Sequence, residues 1–290
     1  MHLKRIKEFI IESLIRLSGF FIIGFVILIF LFLLKDSLSL FREYPLKDFF
    51  FGKSWLPISE PPRFGIIPLV MGSLYVTFVA ILICVPTGIA AAMFIAEVAP
   101  SYLKTILKSL VEILASIPSV VLGFIGIVWL GPLLKDVLGI STGMCGFTGS
   151  LLLAFMALPT IISISEDAIV SVPRSYKEAA FGLGATRWQT LWRIVLPSAS
   201  SGIIAAIMLG IGRVIGETMV VMMVTGNSPI IPHSILQPLR TLTATVAGEM
   251  GETVSGSEHY FALFAVGLVL FIITFIINFI ADWSLQRGKR

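Results

Sequence analysis

The sequence predicts an all-α polytopic membrane protein with six transmembrane helices. Three observations carry that prediction. First, 57% of the 290 residues are hydrophobic and only 13% are charged, whereas about a quarter of a soluble domain is charged. Second, the apolar residues gather into six long runs on the scale of the ~20 residues that cross a bilayer. Third, the segments between the runs hold most of the charge and much of the proline.

The first run, 17–34, lies between Arg16 and Lys35 and follows a basic start. No A-x-A-type cleavage site follows it, so a retained helix is expected. Residues 35–63 are charged and aromatic, with Trp55-Leu56-Pro57 and Pro61-Pro62, which reads as a loop with a short surface helix within 41–51. The second run, 64–96, is too long for one straight span; Pro68 is expected to precede the span and Pro86 to kink it. Glu97-Val98-Ala99-Pro100 ends it, and Lys104 and Lys108 fall in the next polar turn.

The third run, 113–134, is broken at Ser116-Ile117-Pro118-Ser119, where a proline kink or a break that bares backbone N–H groups to an anion is expected. Residues 135–149 read as a Gly-rich loop. The fourth run, 150–165, contains Pro159 and stops at Glu166-Asp167, read as a solvated helix end. The fifth extends from near Ser198 to Thr225 and holds two charges, Arg213 and Glu217. Residues 227–259 read as a long polar connection in which Arg240 meets solvent. The sixth run, 260–281, precedes Asp282 and a basic tail.

Six spans place both termini on one side, and the distribution of basic residues says which. Lys4, Arg5, Lys7, Arg16, Lys104, Lys108, Arg174, Lys177, Arg187, Arg193, Arg287, Lys289 and Arg290 fall on the side of the termini. Lys35, Arg42, Lys47, Lys53, Arg63, Lys135 and Arg240 fall on the other. Thirteen against seven assigns both termini to the cytoplasm of a prokaryotic cell. Cys84 and Cys145 stand far apart with no metal-ligand spacing and read as small core residues.

Between the fourth and fifth runs lies 175–197, S-Y-K-E-A-A-F-G-L-G-A-T-R-W-Q-T-L-W-R-I-V-L-P. Two capping boxes are legible: Ser175 with Glu178, and Thr186 with Gln189. Gly184 falls between them, where a left-handed residue closes the first helix. Trp188 and Trp192 stand four apart, placed to anchor at the interface or pack under the loop. A helix-turn-helix loop held against the cytoplasmic membrane surface is expected.

Glu178-Ala179-Ala180, Gly184, Ile194, Leu196 and Pro197 have the spacing E-A-A-x3-G-x9-I-x-L-P. This resembles the EAA loop of ABC importer permeases at every defined position. The resemblance implies a type-1 ABC importer permease fold whose coupling helix docks into a cytoplasmic ATPase subunit. Glu178 also has a reading that needs no partner, as a helix cap.

A wider set follows in order: Phe64-Gly65-Ile66-Ile67-Pro68, Met71-Gly72-Ser73-Leu74, Ala96-Glu97-Val98-Ala99-Pro100, Ile117-Pro118-Ser119-Val120-Val121-x-Gly123, Gly184-Ala185-Thr186-Arg187-Trp188 and Gly212-Arg213-x-x-Gly216-Glu217-Thr218-Met219. It is similar to the phosphate-specific permeases, and Met219-Val220-Val221 with Gly226-Asn227 is similar to their PstC-type subunit. The resemblance divides the chain into an N-terminal tail, helix and loop (1–63), a permease domain (64–282) and a basic tail (283–290). It implies a second, PstA-type permease, two PstB-type ATPase subunits that hold ATP and Mg, and an extracytoplasmic PstS-type phosphate-binding protein. Lipid surrounds the chain, and nucleic acid is not indicated.

Arg213, Glu217 and Thr218 are the candidate substrate-pathway residues. An intramembrane arginine is strongly disfavoured unless it faces protein or water, so it marks a functional site. Its fork of donors suits phosphate. Glu217 is four residues on, one helical turn away on the same face, close enough to neutralise it; a purely structural pair between helices is the other reading. There is no G-x4-G-K-[ST] loop for ATP, and no catalytic or metal-binding constellation. Three functions are carried forward: a phosphate importer permease, a permease for sulfate or molybdate, and a secondary transporter or channel.

Overall fold

The structure is a computed structural model and describes residues 2–287. Among the described residues, six helical stretches are long and apolar enough to cross a membrane: Ile11–Leu40, Ile67–Val98, Ser119–Leu138, Gly146–Val170, Arg187–Gly216 and Glu258–Ile280. The count matches the hydropathy reading. The boundaries differ, and each difference has a local cause.

Helix α1 (His2–Leu40) is much longer than the apolar run inside it. A short helix, α2 (Leu46–Phe51), follows, then a two-residue antiparallel pair, β1 (Trp55–Leu56) with β2 (Arg63–Phe64). The segment 41–64 is more than a surface loop. Phe49, Trp55 and Phe64 are fully buried with Leu40, Leu69, Leu242 and Leu263 in one apolar cluster. Aromatic side chains bury large areas, so three of them suffice to anchor so short a hairpin.

Helix α3 (Ile67–Met93) starts with Pro68 in its first turn, where the missing N–H is harmless. It carries Pro86 inside it and ends in a π-helical turn, Phe94–Val98, before Pro100. The expected polar turn at Lys104 and Lys108 is instead helix α4 (Ser101–Ser116). Ile117 and Pro118 are extended and interrupt the chain before α5 (Ser119–Ile125). A π-helical turn, Gly126–Leu130, joins α5 to α6 (Gly131–Leu138). The third long apolar helical stretch therefore begins at Ser119, after the Ile117-Pro118 break that separates it from α4, and residues 135–138 are helical where a loop was expected.

Helix α7 (Gly146–Val170) is the most deeply buried of the six spans. Its residues Leu153, Ala157 and Ile161 share a core with Val76, Ala80 and Cys84 of α3. The segment between the fourth and fifth spans contributes α8 (Arg174–Gly182) and α9 (Arg187–Thr190). A π-helical turn, Leu191–Val195, leads into α10 (Leu196–Gly216). Pro197 has no N–H to offer the carbonyl one turn back, and a widened turn stands immediately before it.

The fifth span stops at Gly216, earlier than its apolar run. The separate helix α11 (Met219–Val224) follows. Residues 227–259 are not simply a connection: they contain α12 (Leu242–Glu249), whose first four residues are buried. Helix α13 (Glu258–Arg287) completes the bundle and carries helix into the expected basic tail. Lys289 and Arg290 lie outside the described residues. Helices α1 and α13 pack together through Phe30–Phe271 and Phe32–Phe264, with ring centroids 5.6 and 5.3 Å apart.

Candidate coupling loop and charged sites of the membrane region

The segment 174–197 keeps one of its two expected capping boxes and loses the other. Thr186 and Gln189 form the reciprocal box: Gln189 N donates to Thr186 Oγ1 at 3.3 Å, and Thr186 N donates to Gln189 Oε1 at 2.9 Å. The Ser175–Glu178 box does not form. Pro173 precedes the helix, its ring fixes φ at −56°, and α8 begins at Arg174. Ser175 is thus already inside the helix and cannot cap it.

Gly184 has φ +81°, the left-handed region expected of it. Its N–H donates to Phe181 O at 2.9 Å and the Ala185 N–H donates to Ala180 O at 3.0 Å. These two bonds are the Schellman closure of α8. Within the closure Leu183 is 90% exposed, and Phe181, Trp188 and Trp192 also stand exposed. The two tryptophan rings meet edge to face, with centroids 5.5 Å apart.

Of the signature residues, Ala180 is buried, Ile194 and Leu196 are half-buried, and Glu178, Ala179, Gly184 and Pro197 are exposed. Lys177 pairs with Glu97, tying α8 to the end of the second span. The loop is therefore tied to the second span while several of its apolar side chains stand exposed.

Arg213 and Glu217 do not pair. Arg213 Nη1 donates instead to Thr160 Oγ1 on α7 at 3.1 Å. The expectation assumed a continuous helix, but α10 ends at Gly216 and Glu217 is extended, with ψ 133°. Glu217 Oε1 accepts from the N–H groups of Met219 at 3.0 Å and Val220 at 3.2 Å. The carboxylate thus caps α11, where the free N–H groups of a helix start favour negative charge. Thr218 lies in the break itself, its hydroxyl donating to Gly216 O at 3.3 Å. Thr243 of α12 donates to Glu217 O at 2.9 Å, so α12 supports the break from behind.

Two charged groups escaped the sequence reading. Glu166 is not solvated: it is 3% exposed, with Lys104 Nζ at 3.0 Å and Lys108 Nζ at 2.8 Å. Asp167 joins them at 3.2 Å from Lys108 Nζ. The hydrogen bonds that Lys108 donates to Glu166 and then to Asp167 hold its ammonium pKa above the ordinary range. The only local signal was the four-residue spacing of the lysines, which puts both on one helix face.

On the opposite face of the bundle, Arg240 does not simply meet solvent. It pairs with Glu249, which also accepts from Trp55 Nε1 at 3.0 Å and lies 2.8 Å from His259 Nε2. These four side chains come from three separate segments and line a cavity of about 540 Å³.

Six spans, with an exposed helix-turn-helix between the fourth and the fifth, form the permease fold of type-1 ABC importers. The chain belongs to the family described as "Binding-protein-dependent transport system inner membrane component", whose model matches residues 85–290. It is a multi-pass membrane protein of a transport system.

Similar proteins include the probable ABC transporter permease protein YqgH of Bacillus subtilis, 38% identical over 242 residues, with 83% of this chain and 78% of the relative covered. The phosphate transport system permease protein PstC of Mesorhizobium japonicum is 37% identical over 259 residues, covering 83% and 78%. That of Pasteurella multocida is 33% identical over 312 residues, covering 99% and 95%. Solved structures that share the fold include two ABC transporters. An inward-facing MetNI methionine ABC transporter aligns with TM-score 0.62 and 21% identity, covering 78% of this chain and 96% of that one. A bacterial alginate ABC transporter aligns with TM-score 0.65 and 18% identity, covering 92% and 91%.

Proposed function

We propose that the chain is the membrane-spanning permease subunit of an ATP-driven importer of inorganic phosphate. The observation that carries this reading is the capped, apolar coupling loop on a bundle whose relatives include phosphate transport permeases. The subunit forms the path together with a second, PstA-type permease. The loop at 174–197 engages PstB-type ATPases, and a PstS-type protein delivers the anion from the other side. Both termini lie in the cytoplasm, consistent with the basic residues on the loop face.

The chain carries no phosphate-binding loop for ATP, so its part is non-catalytic and hydrolysis takes place on the partner with ATP and Mg. Arg213 is the group proposed to meet the anion. Thr160 occupies one donor of its planar fork, holding the guanidinium in place while the other donors remain for oxygen atoms. Glu217 and Thr218 contribute by shaping the break in the fifth span beside it.

Uptake of labelled phosphate by the reconstituted complex tests the reading. ATP-dependent uptake that excess sulfate does not reduce is the expected result. Equal competition by sulfate or molybdate would make this a permease for another oxyanion. Uptake that persists without ATP or an ATPase would make it a secondary transporter or channel.

A further inference from the structure

Helix α4 presents three stripes along its length, at about 100° of rotation per residue. Leu103, Lys104, Leu107, Lys108 and Val111 form the side turned to the bundle and are buried or half-buried. Tyr102, Ile106, Leu110 and Ile113 form an exposed apolar stripe. Between the two run Thr105, Ser109, Glu112 and Ser116, polar and all exposed. Their spacing of i, i+4, i+7 and i+11 is that of a single helix face.

Depth gives the polar stripe its meaning. Val111 packs in one cluster with Ile95 and Ile162, both inside spans. Ile162 lies eight residues from the end of α7 at Val170, about 12 Å at 1.5 Å per residue. Glu112, next to Val111, therefore stands about two turns inside the loop-face end of the bundle. Ile162 and Thr160, the acceptor for Arg213, are only two residues apart on α7, so Glu112 and Arg213 share nearly one level.

The hydroxyls of Thr105 and Ser116 bond back to their own helix and would tolerate any surroundings. The Glu112 carboxylate has no such outlet: among the described residues no ion pair includes it. A carboxylate held against acyl chains is strongly disfavoured, and such groups face water or protein.

We propose that Thr105, Ser109, Glu112 and Ser116 line the water-filled loop-face half of the translocation path. The apolar stripe beside them faces lipid. Glu112 sets the charge of that half: it repels an anion that has passed Arg213 and so opposes its return. This rests on the transport reading above.

The test uses the full importer complex in inside-out vesicles, with Cys84 and Cys145 replaced by alanine. Single cysteines at Thr105, Ser109, Glu112 and Ser116 are compared with cysteines at Ile106, Leu110 and Ile113. The probe is a charged, membrane-impermeant methanethiosulfonate. The polar positions are expected to label at least about tenfold faster, because apolar surroundings raise a thiol pKa and each unit removes a factor of ten in thiolate. Equal rates in the two sets, or a polar set that stays unlabelled, would overturn the assignment. Labelling does not depend on what is carried, so its failure is separable from failure of the phosphate reading. In complexes that keep their ATPase, Glu112→Lys is expected to lower phosphate uptake about tenfold or more, since it replaces repulsion by a trap within Coulomb reach of the path. Unchanged uptake in that variant would remove the charge role.

Discussion

Arg213 on α10 is held by Thr160 on α7, at 3.1 Å, and not by Glu217 four residues along its own chain. The two charges of the fifth span therefore have separate structural roles. One is fastened to a neighbouring helix; the other caps α11.

A double-mutant cycle measures that separation. Glu217→Ala is expected to cost about 1 kcal/mol, the usual worth of a helix cap. Arg213→Ala and Glu217→Ala should add within about 0.5 kcal/mol in thermal unfolding of the detergent-solubilised complex. A larger coupling would restore the ion pair. In transport, Arg213→Lys keeps the charge but loses the fork. Phosphate uptake near background in an assembled Arg213→Lys complex is expected; wild-type uptake would remove Arg213 from the path.

Gly184 closes α8 at φ +81°. A β-branched side chain there meets the left-handed penalty of about 1–2 kcal/mol, so Gly184→Val should release the ATPase while the six spans still insert. Asparagine visits this region readily, and Gly184→Asn should retain the partner. Equal ATPase retention in both variants would count against the coupling assignment.

Glu166 is buried between two lysines that are themselves 32% and 42% exposed. Its removal leaves Lys104 and Lys108 without their counter-charge, but water reaches both. Glu166→Gln should therefore destabilise the subunit by about 1–3 kcal/mol, between the values for buried and exposed pairs. Asp167, which is 70% exposed, should matter little: Asp167→Asn is expected within about 0.5 kcal/mol. The unfolding midpoints of the two variants, compared side by side, settle the ranking.

Orientation is testable with single cysteines in a background without Cys84 and Cys145. Ser101→Cys and Ser175→Cys should be shielded from an impermeant thiol reagent in intact cells, and Ser59→Cys and Ser255→Cys should be labelled. The reverse pattern would place the coupling loop outside and separate it from any ATPase.

Hydropathy, glycine and the Thr186 box were legible in the sequence because each acts within a few residues. Six spans follow from apolar run length, the turn at Gly184 from its lack of a side chain, and the second loop helix from two residues three apart. The Ser175 box failed on an equally local matter, since the helix starts two residues earlier than a Ser175 cap requires, with Pro173 before it. What the tertiary structure alone decided is which charge meets which. Arg213 reaches Thr160 across 53 residues, Lys108 reaches Glu166 across 58, and Trp55 reaches Glu249 across 194. A buried polar group takes whatever partner packing brings within about 3 Å. Sequence spacing proposes such partners only along one unbroken helix, and the fifth span breaks at Gly216, where the expected pair needed it to continue.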